Sequence, residues 1–318
     1  MPGLAELEEL PELRALTGIL RALVRRAQGL SRECLVAWLH GFAYGDASTL
    51  LRSNTLALET PRLDTLLAFL AVATRLADYG RHGLRAAKVY PYIRAASDTK
   101  SLQRYKWHAF VRLDPGVYHV VATKEPTIVD SYSSNLETLA AFTAGLIDSD
   151  GTIVMSVKRR RKRLYFEPEL EIVNTDLALL ESLRSAWLRY GISLNLHGHS
   201  EAGEAKRLRR LRRVWRLRIG SQRDLRNLLL YIIPFMFNIK RLARAEITKS
   251  YIEGEIPRDP ALIRAIVAKL DDYYEHTLKK LSIDMIKNLS EKRCILSVMP
   301  DGSIKPLQRV TTRSRSRP

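Results

Sequence analysis

Two carboxylates in this chain stand where a helix least favours them. Residues 141–152 read Ala-Phe-Thr-Ala-Gly-Leu-Ile-Asp-Ser-Asp-Gly-Thr, an apolar, small-residue helix running into Asp150 at its C-terminal end. A weaker echo at 38–49, Trp-Leu-His-Gly-Phe-Ala-Tyr-Gly-Asp-Ala-Ser-Thr, runs in the same way into Asp46. The helix macrodipole is negative at its C-terminus, so a carboxylate there is disfavoured. A cation held between the two acids would offset that cost. The echo therefore matters as much as the motif.

The bulk composition says what such a site could serve. The chain has 318 residues, enough for one large domain or two modest ones, and an ordinary apolar fraction of 46%. Its charge is not ordinary: 52 Lys and Arg against 34 Asp and Glu leave a net +18, with a sequence pI near 10.0. An excess of this size points to a polyanionic partner, nucleic acid ahead of a membrane surface. Two cysteines, Cys34 and Cys294, exclude a disulfide framework or a cysteine-rich zinc site and read as buried small hydrophobes. The first twenty residues mix four glutamates with leucines, unlike a signal peptide, and apolar stretches such as 66–73 are too short to span a bilayer. A cytoplasmic, nucleoid-associated protein is expected.

Periodicity supplies the elements that must carry the two acids. An amphipathic helix is expected at 4–28, broken at Gly29, with Ser31 as N-cap of the next helix, 32–45. A β-prone piece at 48–60 turns at Ser53-Asn54, Pro61 starts an amphipathic helix over 62–79, and 88–94 and 105–114 alternate like strands. The order then recurs. A helix ends at Asp150, strands at 152–158 and 164–173 flank a basic loop, and Asn174-Thr175-Asp176 caps a helix to Tyr190. Strands near 192–197 and 214–220 precede helices at 222–232 and 239–253. This is an internal repeat of about a hundred residues. Its parts are an N-terminal helical extension (1–30), a first repeat (31–133), a second repeat (134–254), a C-terminal helical extension (255–307) and a basic disordered tail (308–318).

Thr143-Ala-Gly-Leu-Ile-Asp-Ser-Asp-Gly151 resembles the nine-residue signature of the LAGLIDADG homing endonucleases, departing at Thr143 and Ser149. Leu39-His-Gly-Phe-Ala-Tyr-Gly-Asp-Ala47 resembles a degenerate copy, in which Gly41 matches Gly145 and Asp46 matches Asp150, while Tyr44 replaces the first acid and Ala47 the last glycine. The likeness covers roughly 32–253 and is of the two-motif, single-chain type. It implies an α+β fold of two pseudo-symmetric αββαββα repeats forming a DNA-binding β-saddle. The motif helices would pack on small residues (Gly41, Ala43, Gly45; Ala141, Ala144, Gly145) and set Asp46 and Asp150 side by side at its floor. By the same resemblance these acids, assisted by the backbone carbonyls of Gly45 and Ser149, would bind divalent metal. Hard oxygen ligands suit Mg²⁺, or Mn²⁺. The family's basic residue near the last strand–helix junction falls at Lys240, within one residue of slippage; its first-half counterpart is open, with Lys124 the candidate. Asn174 or Thr175 matches the polar residue after the second strand. Asp148 reads as structural.

Period-two alternation separates a groove face from a core face. Lys88, Tyr90, Tyr92 and Arg94 share one such face, as do Lys106, His108 and Arg112, and as do Arg212, Arg216 and Arg218. These suit major-groove reading, while Lys158, Arg160 and the basic runs at 159–163 and 206–213 suit phosphate contacts. Tyr165, Glu167, Glu169 and Glu171 also share a face, which runs against DNA binding, and Pro168 suggests an edge or bulge there. His197 and His199 read as polar loop residues. The expected activity is that of a monomeric, metal-dependent endonuclease cutting both strands of a long DNA site. The alternative is a cleavage-deficient relative acting as an intron RNA maturase or a regulator.

Overall fold

A computed structural model describes residues 10–93, 105–160, 163–199 and 214–308. The first repeat begins with helix α2 (Arg32–Gly45), capped by Ser31, whose side chain accepts from the Cys34 amide at 3.2 Å. Strands β1 (Ala47–Leu50) and β2 (Thr55–Thr60) follow, turning through Asn54 at φ 47°, then helix α3 (Leu63–Ala73), strands β3 (Ala87–Ile93) and β4 (Tyr105–Arg112) and helix α4 (Pro115–Ala122). The second repeat has the same order: α5 (Leu136–Asp150), β5 (Gly151–Arg160), β6 (Arg163–Asn174), α6 (Leu177–Arg189), β7 (Asn195–His199), β8 (Val214–Ile219), α7 (Gln222–Ile232) and α8 (Ile239–Glu253). Both sheets are antiparallel and share one topology, β1-β2-β4-β3 in the first and β5-β6-β8-β7 in the second. The two α+β repeats expected from the sequence are present, joined along the motif helices α2 and α5.

The buried sides of the strands, among them Leu56, Val89, Trp107 and Val111 in one sheet and Ile153, Leu170, Ile172 and Leu217 in the other, join one core cluster with the helices. The opposite sides carry the polar alternates. Three features differ from expectation. Helix α3 is not amphipathic, because all eleven of its residues are buried: the leading helix α1 (Pro11–Gln28) covers its outer side with Leu13, Leu16, Leu20 and Leu23. The extension beyond 255 is not wholly helical. After α9 (Pro260–Asp272), a π-helical stretch (Tyr273–Leu278) and α10 (Lys279–Glu291), the chain forms a hairpin of β9 (Cys294–Val298) and β10 (Ile304–Gln308) that pairs with the edge of β3. That pairing satisfies an otherwise open edge. Lastly, β6 runs unbroken through Pro168, but its pairing with β8 is confined to Leu170–Asn174, so Pro168 bonds a neighbour on one side only, against Met155. Cys34 and Cys294 are both buried. Among the described residues no helix is long and apolar enough to cross a membrane.

Candidate metal centre and nucleic-acid interface

The motif glycines decide how closely the two acids approach. A methyl built on Gly41 would lie 2.0 Å from the Phe142 carbonyl oxygen, and one on Gly145 would lie 1.9 Å from the Trp38 carbonyl oxygen. The contacts are reciprocal across a pseudo-two-fold axis, so no residue with a side chain fits at either crossing. One turn further along, the same construction on Gly45 meets the Asp150 carboxyl carbon at 2.7 Å. Asp150 thus packs against the residue preceding Asp46, and the two acids face each other at the helix ends.

Their titration reflects that placement. Asp46 is exposed and Asp150 partly buried, yet the surrounding protein raises the pKa of both. Desolvation leads for Asp150, followed by the charge of Asp46, and together they push it to about 6 against the opposing charges of Arg241 and Lys124. For Asp46, desolvation again leads and is opposed by Arg241 and Arg62. Two carboxylates that resist ionisation together, with hard-oxygen chemistry and backbone carbonyls alongside, form a donor set that fits a divalent cation. Among the described residues no group of three or more acidic, histidine or cysteine side chains could hold a metal ion, and His197 and His199 fall on strand β7 rather than in a loop.

The cations and polar groups around the pair come from both repeats. Asn174, at the end of β6, points its amide at Asp150 Oδ2 at 3.4 Å. Arg241, in the first turn of α8, is buried and donates to the carbonyls of Asp148 and Ser149, the latter at 2.7 Å. Burial and the neighbouring Arg62 guanidinium lower its pKa to about 10. The structure does not bring Lys240 to the acids. Its ammonium pairs with Asp271 at 3.3 Å and Glu275 at 3.7 Å, because one step along α8 turns the side chain away and gives the motif to Arg241 instead. Lys124 lies close enough to Asp150 for the two charges to act on each other. The adjoining Thr123 carbonyl accepts from His40 Nε2 at 2.5 Å, while His40 Nδ1 accepts from the Tyr132 hydroxyl at 2.9 Å. Since a carbonyl can only accept, this imidazole is the neutral Nε2–H form, and burial keeps it so by lowering its pKa to about 4. His40 and Arg241 escaped sequence reasoning because both act across long stretches of chain.

The remaining motif acid holds the frame. Asp148 is fully buried, and its Oδ2 accepts from Trp38 Nε1 at 3.2 Å and from the amides of Phe237 and Asn238 at 2.6 and 3.1 Å. At the matching position Tyr44 is also buried, its hydroxyl without a hydrogen-bond partner among the described residues.

The groove faces divide by charge. On the first sheet Lys88 neighbours Arg85 and Arg112 and its pKa is lowered, by desolvation and then by those like charges. With Tyr90, Tyr92 and His108 these residues line a depression of about 530 Å³. Lys106 on the same face pairs with Glu59 at 2.6 Å. On the second sheet the register places the glutamates beside the expected DNA-reading residues. Lys158 pairs with Glu167 at 2.9 Å, Arg216 with Glu171 at 3.4 Å, and Arg218 with Glu171 at 2.8 Å and with Glu169. These cations are therefore largely neutralised by their own sheet. Arg94 and Arg212 lie outside the described residues, as does the side chain of Arg160.

Residues 137–232 match the family of the LAGLIDADG-like domain. No curated protein matches the chain. Among solved structures, the chain is similar to the N-terminal LAGLIDADG domain of DUF199/WhiA, with 17% identity over 68% of this chain and 88% of that one, at a TM-score of 0.40. Full-length DUF199/WhiA from Thermatoga maritima gives 17% identity over 80% and 72%, at 0.41. I-DmoI in complex with DNA and Mn gives 17% over 63% and 96%, at 0.37. The matched residues fall in the second repeat, where the better motif lies, and make that repeat a LAGLIDADG-like domain.

Proposed function

We propose that this protein is a metal-dependent DNA endonuclease that acts as a single chain. One observation carries the reading: the carboxylates of Asp46 and Asp150 converge at the ends of two helices packed glycine to backbone. Asp46 and Asp150, with the carbonyl of Gly45, would hold the ion, whereas the Ser149 carbonyl is taken by Arg241. A bound Mg²⁺ or Mn²⁺ supplies an activated water and charge stabilisation at a phosphodiester. The protein's own groups do the positioning. Asn174 orients Asp150, Arg241 fixes the carbonyl end of the second motif, and Lys124 and Arg62 set positive charge beside the two acids where a phosphate would lie. The Lys88, Arg85 and Arg112 patch supports phosphate binding on the first sheet.

A second reading is favoured by the second sheet. There Glu169 and Glu171 neutralise the reading arginines, and Tyr44 replaces an acid of the first motif. These features suit a nucleic-acid-binding protein without cleavage, such as an intron RNA maturase or a regulator. A cleavage screen separates the two. Plasmids carrying intron-less ribosomal and transfer RNA genes, or a random-site library, are incubated with Mg²⁺ or Mn²⁺. The endonuclease reading expects linear product that disappears in Asp46→Asn and in Asp150→Asn. Salt-sensitive binding with no cutting under either ion would hand the case to the second reading.

A further inference from the structure

On the helix side of the first sheet, the C-terminal extension closes a cavity of about 550 Å³ against the starts of α3, β5 and α8. Its walls combine two features, the first shared in part with the site above through Arg62 and Arg241. Positive charge is one: Arg62, Lys240, Arg241, Arg244 and Lys279 line it against the carboxylates of Asp64 and Glu275. Each of these cations has a partner in the protein: Arg62 with Asp64, Lys240 and Arg244 with Asp271, Lys279 with Glu275, and Arg241 with the carbonyls of Asp148 and Ser149. The five lining cations nevertheless outnumber the lining carboxylates, Asp64 and Glu275. An anion in the cavity would balance that excess. Aromatic surface is the other feature, supplied by Tyr105 and Tyr274. Tyr274 projects from the six-residue π-helix Tyr273–Leu278, a rare conformation that recurs at functional sites.

We propose that this cavity binds a mononucleotide, its phosphate held by Arg62, Arg241 and Arg244 and its base against the tyrosines. The volume falls within the usual range for small-molecule sites, and base-on-aromatic stacking together with guanidinium–phosphate contact is the recognised chemistry of such ligands. A free nucleotide fits better than duplex DNA lying in the groove. Tyr105 shares its strand face with buried Trp107, opposite Lys106, which puts this wall of the cavity on the core side of the sheet.

Calorimetric titration of the full chain in EDTA, without DNA, tests this independently of any nuclease activity. AMP, inorganic phosphate and adenosine are compared. AMP is expected to bind at least about tenfold tighter than either fragment. Tyr274→Ala should reduce AMP to the level of phosphate, and Arg244→Gln should weaken it about tenfold. Glu275→Gln, at an exposed position where folding is not at stake, should tighten both AMP and phosphate by removing a lining carboxylate. AMP binding weaker than about 1 mM, AMP no tighter than adenosine, or affinity unmoved by Glu275→Gln overturns the proposal.

Discussion

Replacing Gly145 by alanine probes the helix crossing on which the paired acids depend, and the sign of the effect is diagnostic. Alanine is the better helix former by about 1 kcal/mol, so at an unobstructed helical position the change should stabilise. At Gly145 the new methyl would stand 1.9 Å from the Trp38 carbonyl oxygen, some 1.5 Å short of the 3.4 Å at which ordinary contact begins. The obstacle is backbone, so no rotamer change relieves it. Overpacking of a tight core costs about 1–3 kcal/mol, and with rigid backbone on both sides we take about 3. Subtracting the propensity gain leaves a net loss of about 2 kcal/mol. Gly18 in α1 is the control, since a methyl there meets nothing within 4 Å. Urea denaturation should show Gly145→Ala less stable than wild type and Gly18→Ala as stable or more so. Separating the helices should also part Asp46 from Asp150, so metal-dependent cleavage should fall further than lost stability explains. A Gly145→Ala protein that gains stability as Gly18→Ala does would refute the close crossing.

Other perturbations test neighbouring parts. Because folding raises the Asp150 pKa to about 6 from 3.8, the native state holds the extra proton between those values. Stability should therefore decline as pH rises through that window, and Asp150→Asn should be more stable than wild type at pH 7.5 without metal, by about 1–3 kcal/mol; equal stability there would contradict the electrostatic strain. Added Mg²⁺ should raise the melting temperature of wild type at pH 7.5 and little at pH 5, where Asp150 is protonated. Glu171→Gln should free Arg216, while Arg218 keeps Glu169, tightening DNA binding and steepening its salt dependence by about one charge; an unchanged slope in salt titration would remove Arg216 from the interface. His40→Ala should leave the Thr123 carbonyl and Tyr132 hydroxyl without their partner, costing about 1–3 kcal/mol in denaturant unfolding, and should slow cleavage through Lys124 while leaving the salt dependence of binding intact.

What the sequence disclosed and concealed follows from the range of the interactions. The strands and their faces were legible because period-two alternation is local: Lys106, His108 and Arg112 fall on the groove side, and Trp107 and Val111 on the core side, as read. The motif helices were legible because their glycines serve a backbone contact that no other residue allows. Helix α3 misled because its polar-looking ends belong to a segment buried on every side once α1 docks. The β9–β10 hairpin was missed because its pairing partner, β3, lies about two hundred residues away and Pro306 within it reads as a strand breaker. At the site, proximity in sequence favoured Lys240, whereas a single step around α8 gives contact with the motif to Arg241. The ion pairs on the second sheet depend on cross-strand register, which alternation alone does not supply.

Anomalous scattering from crystals soaked in saturating Mn²⁺ at pH 7.5 bears most directly on the two acids. A Mn²⁺ ion in contact with a carboxylate oxygen of Asp46 and one of Asp150, lost in the Asp46→Asn, Asp150→Asn double variant, is the expected result. Ordered Mn²⁺ found only elsewhere on the protein, or held unchanged by the double variant, would contradict it.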